Sequence, residues 1–162
     1  YNTVSGEPFN APRADSSGIL DVTCANGKPF YFVASDDSHF YQGEHCVSYI
    51  MLQADELTVP AILDALRAGR FYASQGPRIY ELEVTDDAMI VRHSPAARCT
   101  FLSNAYWVGN RCRINPEDTE TVYRFSRGES YFSAGSDRFV RCVLTDESGR
   151  RAFSSPYVIP QW

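Results

Sequence analysis

Asp37 and His39 stand one residue apart in "PFYFVASDDSHF", directly after an apolar run from Phe30 to Ala34. A carboxylate and an imidazole at the end of a buried strand are costly to desolvate unless something compensates them. A metal ion, a hydrogen-bond network or water at a surface turn would each do so. If the chain stays extended, positions i and i+2 face the same side. A carboxylate and an imidazole presented together suit Zn²⁺, Mn²⁺ or Fe²⁺. The competing reading is a solvated turn with Asp36 as its cap, and the spacing alone does not choose between the two.

The other polar candidates read more plainly. Asp36 either orients His39 or caps the turn. Glu44 and His45 are adjacent in a glycine-containing loop, where neighbouring side chains diverge, so loop surface is the expectation. His93 ends a strand before Ser94–Pro95 and is expected to be structural. Arg13 and Asp15 lie where a first helix begins, in reach of a phosphate or simply solvated. The stretch "NAYWVGNRCR" (Asn104–Arg113) joins aromatics to two arginines, as a ligand-binding edge or as packing for Trp107. No G-x-S-x-G, P-loop or dinucleotide-binding glycine pattern occurs.

Charge separates the two halves of the chain. Residues 1–77 hold four basic and nine acidic side chains, whereas residues 78–162 hold eleven of each. The acidic half is where a cation would be drawn. The net charge of −5 gives no basic stripe, so duplex nucleic-acid binding is not expected. Five cysteines without a C-x-x-C spacing disfavour a disulfide framework and a cysteine zinc site, and reduced thiols point to the cytoplasm. No apolar run approaches the ~20 residues of a membrane helix, so no membrane partner is expected.

The elements that must position Asp37 and His39 change character near Gly76–Pro77. Before it, Ile19, Leu20, Val22 and Cys24 lie in a helix-length stretch, which Gly27 and Pro29 end. "PFYFVAS" and "CVSYIMLQ" are nearly all apolar, as in strands buried on both faces of a parallel sheet. "TVPAILDALRAGR" is the clearest helix, with Thr58 as cap and Pro60 in its first turn. "RFYASQGP" gives a short strand and a turn. Helices between buried strands predict a parallel α/β sheet or barrel, and residues 1–77 resemble the last third of a larger one. After Pro77, "RIYELEVT", "AMIVRHS", "RCTFLSN", "ETVYRFSR", "DRFVRCVLTD" and "RAFSSPYVI" predict short strands at the spacing of a β-sandwich. The chain opens on Tyr1-Asn2 rather than Met, and the expectation is a fragment of a longer protein.

"FVASDDSH", the strand after it and "ADELTVPAILDALRAGRFYASQGP" together resemble the closing part of the polymerase-and-histidinol-phosphatase (PHP) superfamily, in its metal-dependent phosphoesterase branch. The opening Tyr1-Asn2 and "SPAARCTFLSN" (Ser94–Asn104) fit the same resemblance, which covers residues 1–79 well and the remainder loosely. It implies the C-terminal portion of a distorted (β/α)7 barrel over 1–77 and a small antiparallel β-sandwich over 78–162, an α/β plus all-β chain. It makes Asp37 and His39 metal ligands for Zn, Mn or Fe ions and implies hydrolysis of a phosphorylated small molecule or nucleotide. The family's other ligands, an early H-x-H pair among them, have no counterpart here. The missing N-terminal part of the barrel would supply them, and this chain alone is expected to be inactive. A non-catalytic accessory or interaction module, and an amidohydrolase-like barrel, are the alternatives.

Overall fold

The computed structural model describes residues 14–41, 43–105, 111–115, 117–127 and 135–160. Helix α1 (Ser17–Ala25) starts where the Asp15 carboxylate accepts the Ser17 N–H at 2.9 Å. It ends at Gly27, whose φ of 78° suits glycine; Gly27 and Lys28 donate back to the Cys24 and Thr23 carbonyls. Strand β1 (Tyr49–Leu52) leads to α2 (Val59–Arg67) and β2 (Phe71–Ser74). The Thr58 side chain caps α2 by accepting the Ala61 N–H, with Pro60 in the first turn.

Eight further strands follow: β3 (Ile79–Val84), β4 (Ala88–His93), β5 (Arg98–Ser103), β6 (Cys112–Arg113), β7 (Glu120–Arg124), β8 (Phe139–Thr145), β9 (Arg151–Phe153) and β10 (Tyr157–Val158). They form a seven-stranded sheet ordered β1-β2-β9-β8-β5-β6, with β10 also on β8, and a three-stranded sheet ordered β3-β4-β7. β9 and β10 lie along the same side of β8, interrupted at Ser154, which accepts the Cys142 N–H through its hydroxyl at 2.9 Å.

The two sheets share a core. Met89, Val91 and Tyr123 of the small sheet meet Cys99, Phe101, Val140, Cys142 and Leu144 of the large one. A second cluster lies on the other face of the large sheet, where Phe32 and Ala34 join Ala73, Val143 and Phe153, with Leu20 of α1 packed against them. At roughly 25 cal/mol per Å² of apolar surface, these two layers are the main source of stability.

This is not a portion of a (β/α)7 barrel. The fold is β-rich, every strand pairing is antiparallel, and only two helices occur among the described residues. The reason is physical. A nearly all-apolar strand reports burial on both faces but says nothing about the direction of its neighbours. β8 shows this, buried almost throughout inside an antiparallel sheet. The larger sheet takes β1 and β2 from before Pro77 and its other strands from after it. No helix among the described residues is long and apolar enough to cross a membrane.

Phe30–Ala34 also differs from expectation. It forms no strand, and burial alternates along it: Phe32 and Ala34 pack inward while Phe30, Tyr31 and Val33 are about half exposed.

The thiols provide a check on this packing. Cys24, Cys99 and Cys142 are buried, and Cys46 and Cys112 are exposed. Burial pushes the Cys142 thiol up to about 11 and the Cys99 thiol higher still. The thiolate is the reactive form. A thiol reagent at neutral pH should therefore modify two cysteines rapidly and the other three only on unfolding, read by intact mass. Rapid modification of all five would contradict the buried core.

Candidate functional site

The loop from Ser35 to Ser48 carries Asp36, Asp37, His39, Glu44 and His45, and the carboxylates of Asp36 and Glu44 hold its backbone. The Asp36 carboxylate accepts the N–H groups of Cys46, Val47 and Ser48, with Oδ2 at 2.6 Å from the first and Oδ1 at 2.8 and 2.5 Å from the others. The Glu44 Oε2 accepts the N–H of His39 at 2.8 Å and of Tyr41 at 3.2 Å. The Ser38 hydroxyl accepts the Phe40 N–H at 3.1 Å. Hydrogen bonds to ionised acceptors are worth roughly 1.5–3 kcal/mol each where they are sheltered, less where water competes.

Those bonds hold an unusual backbone. Asp37, Phe40 and Cys46 have φ of 56°, 67° and 60°. Asp tolerates the left-handed region because its short polar side chain bonds locally, but Phe and Cys rarely adopt it. Strain of this kind, on the order of 1 kcal/mol or more per residue, persists only where surrounding contacts over-determine it and is concentrated at functional sites.

The structure places Asp37 and His39 together in this loop, both exposed. They are not related by strand alternation, because the backbone turns left-handed at Asp37. His39 is exposed, and its ring makes no hydrogen bond to any described residue. A carboxylate and an imidazole are suitable donors for a borderline divalent ion, but a metal site needs three or four. Among the described residues, no three His, Cys, Asp or Glu side chains come together where an ion could be held. The two donors do not complete a site by themselves.

The other sequence candidates resolve individually. Asp36 is a loop brace. Glu44 is one too, which its place in a glycine-containing loop did not signal; His45 is exposed beside it. His93 is structural and 1% exposed, with Nδ1 at 2.8 Å from the Ser94 carbonyl and Nε2 at 2.9 Å from the Thr121 hydroxyl. Since that carbonyl only accepts, Nδ1 carries a proton. Asp15 pairs with Arg151 at 2.8 Å. Burial acts to raise the Asp15 carboxyl, but hydrogen bonds from Ser17 and the Arg151 charge outweigh it and hold the group below the ordinary carboxylate range. Arg13 and Trp107 lie outside the described residues.

Two charge clusters were missed by sequence reasoning. Arg141, 1% exposed, donates through Nε and Nη2 to the two oxygens of Asp21, each at 2.6 Å, and lies over the Phe32 ring at 4.6 Å. Asp137, fully buried, gathers Ser103, Tyr123, Ser126 and Arg111. Each joins residues at least 11 positions apart in sequence, and no local pattern marks such a pair. Comparison with protein-family models, with curated proteins and with solved structures gives no match for this chain.

Proposed function

We propose that this chain contributes Asp37 and His39 as a ligand pair to the metal site of a PHP-like phosphoesterase, with the remaining ligands on polypeptide outside the described residues. The observation that carries the reading is the braced loop. Asp36 and Glu44 are committed to backbone N–H groups, and the strained turn they hold leaves the Asp37 and His39 side chains exposed. That is the division of labour expected where supporting groups fix the geometry of metal donors. Phe30, Tyr31 and Val33, each about half exposed, lead directly into the loop. A bound divalent ion would supply an activated water and charge neutralisation for attack on a phosphate ester. The acidic balance of residues 1–77 favours a cation.

The test uses Asp37→Asn and His39→Gln in the full polypeptide that contains this chain. Asn keeps the tolerance for φ near 56° that Ala would lose, so strain and ligand loss are not confounded. Each variant is expected to lose at least about 100-fold in Mn²⁺-dependent hydrolysis of a chromogenic phosphate ester, with little change in thermal midpoint, since both side chains are exposed. Unchanged turnover in both variants would sink the assignment. Calorimetry on residues 1–162 alone should show only weak Mn²⁺ or Zn²⁺ binding. Tight one-to-one uptake would contradict the need for further donors.

A further inference from the structure

A second candidate site owes nothing to Asp37 and His39. A groove of about 850 Å³ runs between the end of the large sheet and β3, and its walls include Tyr31, Arg70, Tyr72, Arg78, Tyr80 and Tyr157. This is the size of a small-molecule site, commonly about 300–1,000 Å³.

Its walls are built rather than incidental. The ladder between β3 and β4 steps from Ile79↔His93 to Glu81↔Arg92, which leaves Tyr80 as the extra residue of a β-bulge. Bulges re-aim side chains, and Tyr80 is 66% exposed in the groove while Ile79 and Leu82 pack into the core. On the opposite wall, Tyr31 meets Phe71 edge-on with ring centroids 5.7 Å apart. Its ring lies so close over Gly69 that a Cβ there would come within 2.2 Å of Tyr31 Cε1. Gly69 also has φ of 69°, in the left-handed region that favours glycine. The guanidinium groups of Arg70 and Arg78 are exposed and make no hydrogen bond or ion pair with other described residues, unlike Arg92, which is clamped between Glu81 and Glu120.

We propose that this groove binds a nucleoside monophosphate, its base against the tyrosine rings and its phosphate on Arg70 and Arg78. Flat π-faces accept any base by stacking. Guanidinium groups match phosphate in bidentate geometry and are weakly hydrated, so little is lost on binding. A free mononucleotide is favoured over a nucleic-acid strand because the chain's net charge of −5 repels a polyanion.

Calorimetry with adenosine 5′-monophosphate, in chelator to exclude any metal effect, tests this apart from the phosphoesterase reading. Saturable one-to-one binding is expected, with adenosine and inorganic phosphate each at least about tenfold weaker. Tyr80→Ala and Arg78→Gln should each weaken it about tenfold, and Tyr80→Phe should retain it. These side chains are exposed, so urea midpoints should stay unchanged and report that the variants fold. No saturation at millimolar nucleotide, phosphate binding as tightly as the nucleotide, variants binding as wild type, or a short oligothymidylate binding more tightly would each overturn the proposal.

Discussion

Replacing Asp21 with asparagine is expected to destabilise the chain by about 3 kcal/mol, a large share of the roughly 5–15 kcal/mol that holds a domain together. Arg141 sits on β8 with its side chain 1% exposed, and both Asp21 oxygens accept from it. Its remaining Nη1 is buried without a hydrogen-bond partner among the described residues. Removing the Asp21 charge leaves a buried guanidinium without its counter-charge. The Asp21 side chain is still 23% exposed, which places the effect at the lower end of the range for breaking a buried pair. Arg141→Leu combined with Asp21→Asn should recover part of the loss, because a leucine can pack beside Phe32 and Val143 without a charge to satisfy. Urea denaturation of the two single variants and the double variant gives the coupling energy. A coupling near zero would mean that α1 is held to the sheet by Leu20 and its apolar neighbours alone.

The ion pair also shows what a single sequence conveys and what it withholds. Signals that act over a few residues were legible. Thr58 and Pro60 start α2, Gly27 ends α1, and the apolar runs after Pro77 coincide with strands. These depend on capping, left-handed glycine and period-2 alternation, all local. Strand direction and order are set by pairings remote in sequence, and there the barrel expectation failed. The pattern of "RAFSSPYVI" predicts one strand, yet Ser154 replaces a ladder contact with its hydroxyl and divides it into β9 and β10. Arg141 faces the helix side of β8, beside Val143, and a charged residue in a strand does not announce a buried partner 120 positions away.

The candidate site was partly legible for the same reason. The types and nearness of Asp37 and His39 were visible, as was the option of Asp36 as a cap. Their geometry was not, because the same-side relation assumed an extended chain and Asp37 lies at φ 56°. Nothing local demands a left-handed Phe40 or Cys46. They are held there by carboxylates, one of them ten residues from the backbone group it accepts. The groove was hidden more thoroughly, since the bulge that turns Tyr80 outward exists only once β3 is in register with β4.

The second large effect is expected at Asp137. Its carboxylate is fully buried and accepts from the Ser103 hydroxyl at 2.5 Å, the Tyr123 hydroxyl at 2.8 Å and the Ser126 N–H at 2.6 Å, with Arg111 Nη2 at 3.5 Å. Asp137→Ala would strand these donors and leave Arg111, whose Nε has no partner among the described residues, without its counter-charge, at a cost of about 3–5 kcal/mol. Tyr123→Phe removes a single donor and should cost only about 1 kcal/mol at neutral pH. Alkaline pH distinguishes the network from simple packing. Burial, then the Asp137 charge, pushes the Tyr123 hydroxyl from 10.0 up to about 12. A group whose folded pKa is raised contributes stability that is complete below the unfolded value and is lost as pH rises to the folded one. Between pH 10 and 12 the unfolded chain releases this proton and the folded chain keeps it, so stability falls by up to about 1.4 kcal/mol per unit. The buried thiols of Cys99 and Cys142 add to the alkaline loss in wild type and variant alike, so the difference between the two isolates Tyr123. Tyr123→Phe should therefore unfold less steeply with pH above 10, narrowing its neutral-pH deficit. Parallel curves for the two proteins would mean that Tyr123 ionises as readily folded as unfolded, and that the Asp137 cluster does not shelter it.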